Sequence, residues 1–151
     1  MPEYDLEKVL PHKHPIILID DILEYDLEER TVKTIVKIHP DKMFFDQSIN
    51  GIPAITGIEF MAQTIGCYSY FKNNMKRPRI GFLLGTRLYK TDIDLFENGK
   101  TYEITAKEVF TNDELVSFDC LIYNSNEVCA QATINAYMPA NDINLIGMLN
   151  V

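Results

Sequence analysis

The sequence is poor in the residues that build metal centres and disulfide frameworks. It has three cysteines, three histidines and no tryptophan among 151 residues. Cys67, Cys120 and Cys129 are odd in number and stand in apolar surroundings, without a CxxC or Cys/His spacing. A reduced chain without a disulfide framework is therefore expected, with no bound metal and no redox cofactor.

Basic residues are also few. Fourteen Lys and Arg stand against 22 Asp and Glu, so the net charge is −8. Nucleic acid and anionic membrane surfaces need clustered positive charge, and this balance argues against both as main partners. One local basic cluster is formed by Lys72, Lys76, Arg77 and Arg79. It can dock an acidic partner, or it can be a solvated helix end with cations suited to the helix dipole.

Long apolar runs are missing too. No stretch approaches the length that spans a membrane, and the acidic start MPEYDLE lacks the apolar core of a signal peptide. A cytoplasmic location is the expected default. The hydrophobic content of 46% is ample for a packed core, and the length predicts one domain over residues 1–151.

What the chain does have is an apolar helix pattern over residues 51–72 (GIPAITGIEFMAQTIGCYSYFK). Pro53 suits a first helical turn, because its missing N–H would have no acceptor there. Apolar residues then cover almost every face, which is typical of a buried helix. Thr56, Glu59 and Gln63 are the exception, and their spacing places them on one face. An isolated buried carboxylate is costly, so Glu59 is either a functional group or a residue capped by Thr56 or facing solvent.

Strand patterns surround this helix. Residues 16–24 and 31–39 precede it, with a hairpin turn at 26–30, and residues 79–89, 101–110, 115–123 and 127–137 follow it. Residues 2–10 predict a short amphipathic helix or turn, and residues 40–50 predict a loop whose Met43, Phe44 and Phe45 suggest a lid or a buried edge. Gly81 and Gly85 suggest a bulge or the close approach of another backbone. The order predicts an α+β fold, an antiparallel sheet of about six strands wrapped around one long buried helix.

Two segments carry a family resemblance. Residues 10–20 (LPHKHPIILID) resemble the opening LPHRYPFLLVDR of beta-hydroxyacyl-acyl-carrier-protein dehydratases, and residues 53–63 (PAITGIEFMAQ) resemble their helix start PGVLIIEALAQ. The match is closer to the dehydratases of aryl polyene pathways, which carry a GIEYMAQ-like helix and a GFLLGTR-like strand, here residues 81–87. The resemblance implies a hotdog fold and dehydration of a 3-hydroxyacyl thioester on an acyl-carrier protein, in fatty acid or polyene synthesis.

The resemblance also implies roles for individual residues. Glu59 matches the family's helix glutamate and would protonate the leaving hydroxyl, since a buried carboxyl group can keep its proton. Gln63 would orient Glu59. Apart from the resemblance, the first-turn amides near Ala54 and Ile55 form a positive helix end that would hold the thioester oxygen. The candidates for substrate contact are these three residues, Ala54, Ile55 and Gln63, together with Phe45 and Gly85.

The proton-abstracting base is the point of departure from the family. Common dehydratases carry a histidine in a GHFPG-type loop, and the matching loop here, residues 45–51 (FDQSING), has none. His12 stands at the family's LPH position and is the chosen base. His14 would point the opposite way in an extended stretch, and His39 reads as a surface residue. His12 can instead be a structural residue that packs the amino-terminal stretch against the helix.

Two other functions stay open at this stage. A hotdog thioesterase would use Glu59 to activate water, and a non-catalytic hotdog subunit would support an active partner. An open sheet edge predicts a homodimer or a larger assembly, with the acyl tunnel between subunits, or a hetero-oligomer with a second hotdog subunit.

Overall fold

The computed structural model describes residues 4–75 and 82–138, with the backbone alone for residues 82–84 and 87. Eight strands and two α-helices lie in these ranges. In chain order they are α1 (Leu6–Val9), β1 (Asp21–Asp26), β2 (Thr31–Lys37), β3 (Gly51–Pro53), a 3₁₀ turn (Ala54–Thr56), α2 (Gly57–Lys72), β4 (Phe82–Thr91), β5 (Leu95–Glu97), β6 (Thr101–Asn112), β7 (Leu115–Asn124) and β8 (Glu127–Tyr137).

Six of the strands form one antiparallel sheet in the order β1-β2-β6-β7-β8-β4. Alternate residues of β2, β6, β7 and β8 are buried against α2, which explains the period-two patterns of the sequence. The helix contributes Phe60, Met61, Ile65, Cys67 and Phe71 to this core, each at most 2% exposed. The predicted arrangement of one buried helix and a sheet of about six strands is confirmed.

The predicted start of the helix is wrong. Pro53 does not open a helical turn: it ends β3, which pairs with β5 through Pro53 and Leu95. The 3₁₀ turn follows, and α2 begins only at Gly57. The short β3–β5 pair was missed, because three-residue strands show no periodicity.

The strand predicted over residues 16–24 is also wrong in its first half. Strand β1 begins at Asp21, and the apolar run Ile17, Leu18, Ile19 is buried without strand pairing. Burial of an irregular backbone requires partners for its polar groups. In this protein they come from α2, as described below.

The basic cluster predicted after the helix falls mostly outside the described residues, as do Gly81 and the tail after Met138. Of the cluster, only Lys72 is described. Its Nζ lies 2.9 and 2.8 Å from the two carboxylate oxygens of Glu108, whose side chain is 6% exposed. Lys72 therefore ties the end of α2 to β6 and is not a free surface cation.

Candidate functional site

Gln63 is the centre of the polar stripe on α2. Its side chain is 1% exposed. Its Oε1 accepts hydrogen bonds from the backbone N–H groups of Leu18 at 2.8 Å and Ile19 at 3.4 Å. Its Nε2 donates to the carbonyl of Ile16 at 2.9 Å and to Oε1 of Glu59 at 3.2 Å. The side-chain amide of Gln63 thus binds both residues 16–19 of the amino-terminal segment and the Glu59 side chain in the first turn of α2.

Glu59 is half-buried in the single chain rather than fully enclosed. The carboxylate receives the Nε2 donor of Gln63, so the expected contact between these two residues is present. Thr56 is not its cap, since the Thr56 side chain makes no capping hydrogen bond at the start of α2. Glu59 is therefore held from one side and open on another, as a group that exchanges a proton with a substrate would need to be.

Lys42, which the sequence did not single out, secures the same segment from the opposite side. Its side chain is 6% exposed, and its Nζ lies 2.6 Å from both the Leu18 carbonyl and Oδ2 of Asp20. The Lys37 N–H donates to that Oδ2 at 2.6 Å. Burial lowers the pKa of Lys42, and the hydrogen bond to Asp20 opposes the shift. No sequence pattern marks a lysine of this kind, because its partners are distant along the chain.

The backbone N–H groups of Ala54 and Ile55, which lie just before the amino-terminal end of α2, differ in their hydrogen bonding. The Ala54 N–H already donates to the Asp94 carbonyl at 3.1 Å, so in this structure it is not free to hold a thioester oxygen. The next amide, that of Ile55, donates to no oxygen of the described residues. The Ile55 side chain beside it is 66% exposed. Of these two backbone amides, the Ile55 N–H is the one without an acceptor in the part of the chain that the structure describes.

The peptide between these two residues has a further partner. The hydroxyl of Tyr89, on β4, donates to the Ala54 carbonyl at 2.5 Å. Burial raises the pKa of Tyr89 to about 12. The sequence did not reveal this residue, because a register shift between Arg87 and Lys90 breaks the alternation of β4.

The three histidines differ in their surroundings. His12 is half-buried, and its Nδ1 is the one buried side-chain nitrogen or oxygen of the described residues that lacks a hydrogen-bond partner. No hydrogen bond joins it to Glu59 among those residues. His14 is exposed, with Nδ1 3.7 Å from Oε2 of Glu7, and His39 is exposed as well.

The two remaining substrate-contact candidates, Phe45 and Gly85, lie apart from Gln63 and Glu59. Phe45 is half-buried and packs on the core, while Met43 and Phe44 of the same loop are 39% and 51% exposed. At Gly85 the predicted bulge is present, after Leu83. The alternative explanation, close approach of another backbone, does not apply, since a Cβ at Gly85 would have nothing within 4 Å.

A cavity of about 300 Å³ beside Gly85 does not connect it to the rest of the site. It is lined by Gly85 together with Phe110, Leu115, Val116, Ser117, Asn135 and Ala136. None of these other residues is a site candidate.

The cysteines contribute no nucleophile. Cys67 is 0% exposed, and burial raises the pKa of its thiol far above the ordinary value. Burial likewise raises the pKa of Cys120 to about 12, and the pKa of Cys129 moves in the same direction. Since the thiolate is the reactive form, all three are core residues.

Residues 4–75 and 82–138 form no cluster of metal ligands and no membrane-spanning helix. No group of three or more His, Cys, Asp or Glu side chains there is placed to hold a metal ion. No helix in those ranges has the length and apolarity needed to cross a membrane.

Gln63 offers a direct test of this site's construction. Gln63→Leu would leave the buried N–H groups of Leu18 and Ile19 without their acceptor, at a cost of roughly 1–3 kcal/mol for each group. We expect a matching loss in the free energy of unfolding, measured by urea titration. Gln131→Leu, on the exposed face of β8, is the control and should change it by less than about 0.5 kcal/mol. Equal stability of the Gln63→Leu variant and the wild type would contradict the network.

A six-stranded antiparallel sheet packed against one long buried helix is the arrangement of the hotdog fold. The sequence profile of the ApeP-like family, described as ApeP dehydratase, matches residues 4–147. The chain belongs to the ApeP-like dehydratase family.

Individual relatives agree with this assignment. The 3-hydroxyacyl-[acyl-carrier-protein] dehydratase FabZ of Chlamydia trachomatis is 31% identical over 90 residues, which cover 57% of this chain and 59% of the relative. The bifunctional enzyme LpxC/FabZ of Chlorobaculum tepidum is 28% identical over 137 residues, covering 87% of this chain and 28% of the relative. The match thus spans less than two thirds of the length of each curated relative.

A solved structure matches over the whole length. It is the dehydratase heterocomplex ApeI:P from Xenorhabdus doucetiae, with a TM-score of 0.84 and 25% sequence identity. The match covers 100% of this chain and 99% of that chain. The hotdog fold and the resemblance to the aryl polyene subfamily are confirmed.

Proposed function

We propose that this chain takes part in dehydrating a 3-hydroxyacyl thioester, carried on an acyl-carrier protein, to the trans-2-enoyl thioester and water. The observation that carries the proposal is the pairing of Glu59 with an unoccupied amide. Ile55 lies in the 3₁₀ turn that leads directly into α2, four residues before Glu59, so the free N–H and the carboxyl group both lie at the amino-terminal end of the helix. A carbonyl-binding donor and a proton donor are two of the groups that this elimination needs.

The reaction uses each group once. The thioester oxygen accepts a hydrogen bond from the Ile55 N–H, which stabilises the negative charge that develops when the C2 proton leaves. His12 takes that proton. Glu59, positioned by Gln63, gives its proton to the C3 hydroxyl as the C3–O bond breaks, and the electrons of the C2–H bond form the C2=C3 double bond. Water leaves, and the proton on His12 returns to Glu59 before the next turnover.

The substrate contacts beyond this core are also proposals. Phe45 would line the acyl channel from the loop before the helix. Gly85 lies apart from the other candidates in the single chain, and it would contact the acyl group only in an assembly, where that group is held by a neighbouring subunit. Synthesis of fatty acids or polyenes is the proposed context. A cytoplasmic location stays a prediction of the sequence.

Assembly follows from the ends of the sheet. Strands β1 and β4 are the outer strands of the six-stranded sheet. Leu88 on β4 is 75% exposed, beside Tyr89, which reaches the helix start. We propose that a second hotdog subunit pairs with β4 and covers Ile55, so that the acyl channel lies between subunits.

A second function is favoured by one specific observation. The loop of residues 45–51 lacks histidine, and the ApeI:P match is a heterocomplex. In this alternative the chain is a subunit without its own base, and a different hotdog subunit supplies the histidine across the interface.

One assay separates these functions. The purified chain is incubated with a 3-hydroxyoctanoyl group loaded on an acyl-carrier protein, and the carrier is followed by mass spectrometry. Loss of one water with the thioester intact supports the dehydratase. A free carrier thiol would indicate a thioesterase. No turnover by the chain alone, restored by a second hotdog subunit, supports the alternative. Light scattering reports the assembly, and a fully active monomer would contradict the shared channel.

A further inference from the structure

Tyr89 reaches the helix start because β4 is irregular at this point. The register with β8 shifts between Arg87 and Lys90. Within this bulge Leu88 has a φ of 54°, a left-handed conformation that is unusual for leucine. Leu88 is 75% exposed, whereas Tyr89 packs against the core. Bulges often re-aim a side chain next to a functional site, and here the re-aimed side chain is Tyr89.

The head of the helix is shaped to receive this tyrosine. A Cβ at Gly57 would overlap the Tyr89 hydroxyl and would crowd the side chains of Phe96 and Ile122. Glycine therefore leaves the space through which the hydroxyl contacts the Ala54 carbonyl. The bulge in β4 and the absence of a side chain at Gly57 therefore both allow the hydrogen bond between the Tyr89 hydroxyl and the Ala54 carbonyl.

That contact acts on the free amide through a single peptide group. The Ala54 carbonyl and the Ile55 N–H belong to the same trans peptide and point in opposite directions. The Ala54 carbonyl also accepts the Gly57 N–H, and the Tyr89 hydroxyl adds a second donor that helps to orient the Ile55 N–H on the other side and strengthens it as a donor. The Ala54 N–H, bonded to Asp94, fixes the preceding peptide as well.

We infer that Tyr89 is a positioning residue: it fixes and polarises the Ala54–Ile55 peptide so that the Ile55 N–H is aimed at the thioester oxygen. The inference rests on the proposed dehydratase function and goes beyond it by assigning a role to a residue that need not touch the substrate. An oxygen-binding site accelerates a reaction when its donors are already in place. The Tyr89 hydroxyl is protonated at neutral pH, as that of any ordinary tyrosine is, and burial raises its pKa further, so it remains a donor.

Tyr89→Phe removes the hydroxyl and keeps the ring. Loss of a complete donor from an oxyanion hole costs roughly 10²–10³-fold in kcat, and here the donor stays while its orientation is weakened. We expect kcat to fall by about 10-fold, the scale of one neutral hydrogen bond, with KM unchanged. The matched control is Tyr25→Phe, since Tyr25 stacks on Phe71 at the far end of α2. It should retain wild-type kinetics.

A spectroscopic measurement separates positioning from a general loss of structure. A butyryl thioester labelled with ¹³C at the carbonyl has no 3-hydroxyl group and cannot be dehydrated. Its infrared carbonyl band should lie at higher frequency when bound to Tyr89→Phe than to the wild type, because the donor is weaker. A thioether analogue without the carbonyl oxygen should bind both proteins equally.

The outcomes are distinct. Wild-type kcat and an unshifted carbonyl band in Tyr89→Phe would overturn the inference and leave the dehydratase function intact. Equal losses in kcat, KM and thioether binding would also overturn it, because they indicate a structural role alone. A wild-type protein that dehydrates no 3-hydroxyacyl thioester, with or without a second hotdog subunit, would overturn the proposed function itself.

Discussion

Replacing Glu59 with glutamine is expected to lower dehydratase turnover by roughly 10²–10⁴-fold, the usual contribution of one general acid–base group. The substitution removes the transferable proton and keeps the size of the side chain. It also leaves Gln63 with an amide oxygen as its acceptor in place of the carboxylate. The fold should therefore persist, because the hydrogen bonds of Gln63 to residues 16–19 do not involve Glu59.

The measurement is steady-state kinetics on the 3-hydroxyoctanoyl carrier substrate, with circular dichroism to establish folding. Glu127→Gln, at the exposed start of β8, is the matched control and should retain wild-type turnover. An unchanged rate in folded Glu59→Gln would remove Glu59 from the mechanism.

The second large effect is expected at His12. If this imidazole is the base, His12→Ala should reduce turnover by roughly 10²–10⁴-fold, whereas His14→Ala and His39→Ala should not. The structure gives a physical reason to assign His12 a role. Few buried polar atoms in native proteins lack a partner, and the enclosed Nδ1 of His12 is such an atom. The exposed rings of His14 and His39 are matched controls for loss of an imidazole.

The same three variants decide between the two candidate functions. Wild-type turnover in folded His12→Ala would end the case for His12 as the base. Turnover that requires a second hotdog subunit, and is insensitive to all three variants, would place the base on that subunit. The assays should therefore be run both with and without such a subunit.

The sequence predicted the fold well wherever one periodic pattern extended over many residues. The buried faces of β2, β6, β7 and β8 follow alternation over most of their length, and the apolar pattern after Gly57 indicated a buried helix. It also predicted the contact between Gln63 and Glu59, because a spacing of four residues on a helix brings side chains together without help from the rest of the fold.

The errors lie where distant segments meet. Pro53 suits a helix start, yet β5 pairs with β3 and makes Pro53 the end of a strand. Residues 16–19 are apolar enough for a strand, yet the Gln63 side chain takes their backbone hydrogen bonds in place of a neighbouring strand. In each case the competing partner is more than 40 residues away, and local propensity carries no information about it.

The sequence by itself determined the α+β layout, the polar stripe on the central helix and the absence of a loop histidine, because these depend on residue type and short-range spacing. The hotdog class came from the family resemblance of two motifs. The tertiary structure alone decided which amide is free. Asp94 occupies the Ala54 N–H, Tyr89 binds the Ala54 carbonyl, and Ile55 is left with an unused donor. Hydrogen bonds between residues far apart in the chain make that choice, and only the folded chain brings their partners within reach.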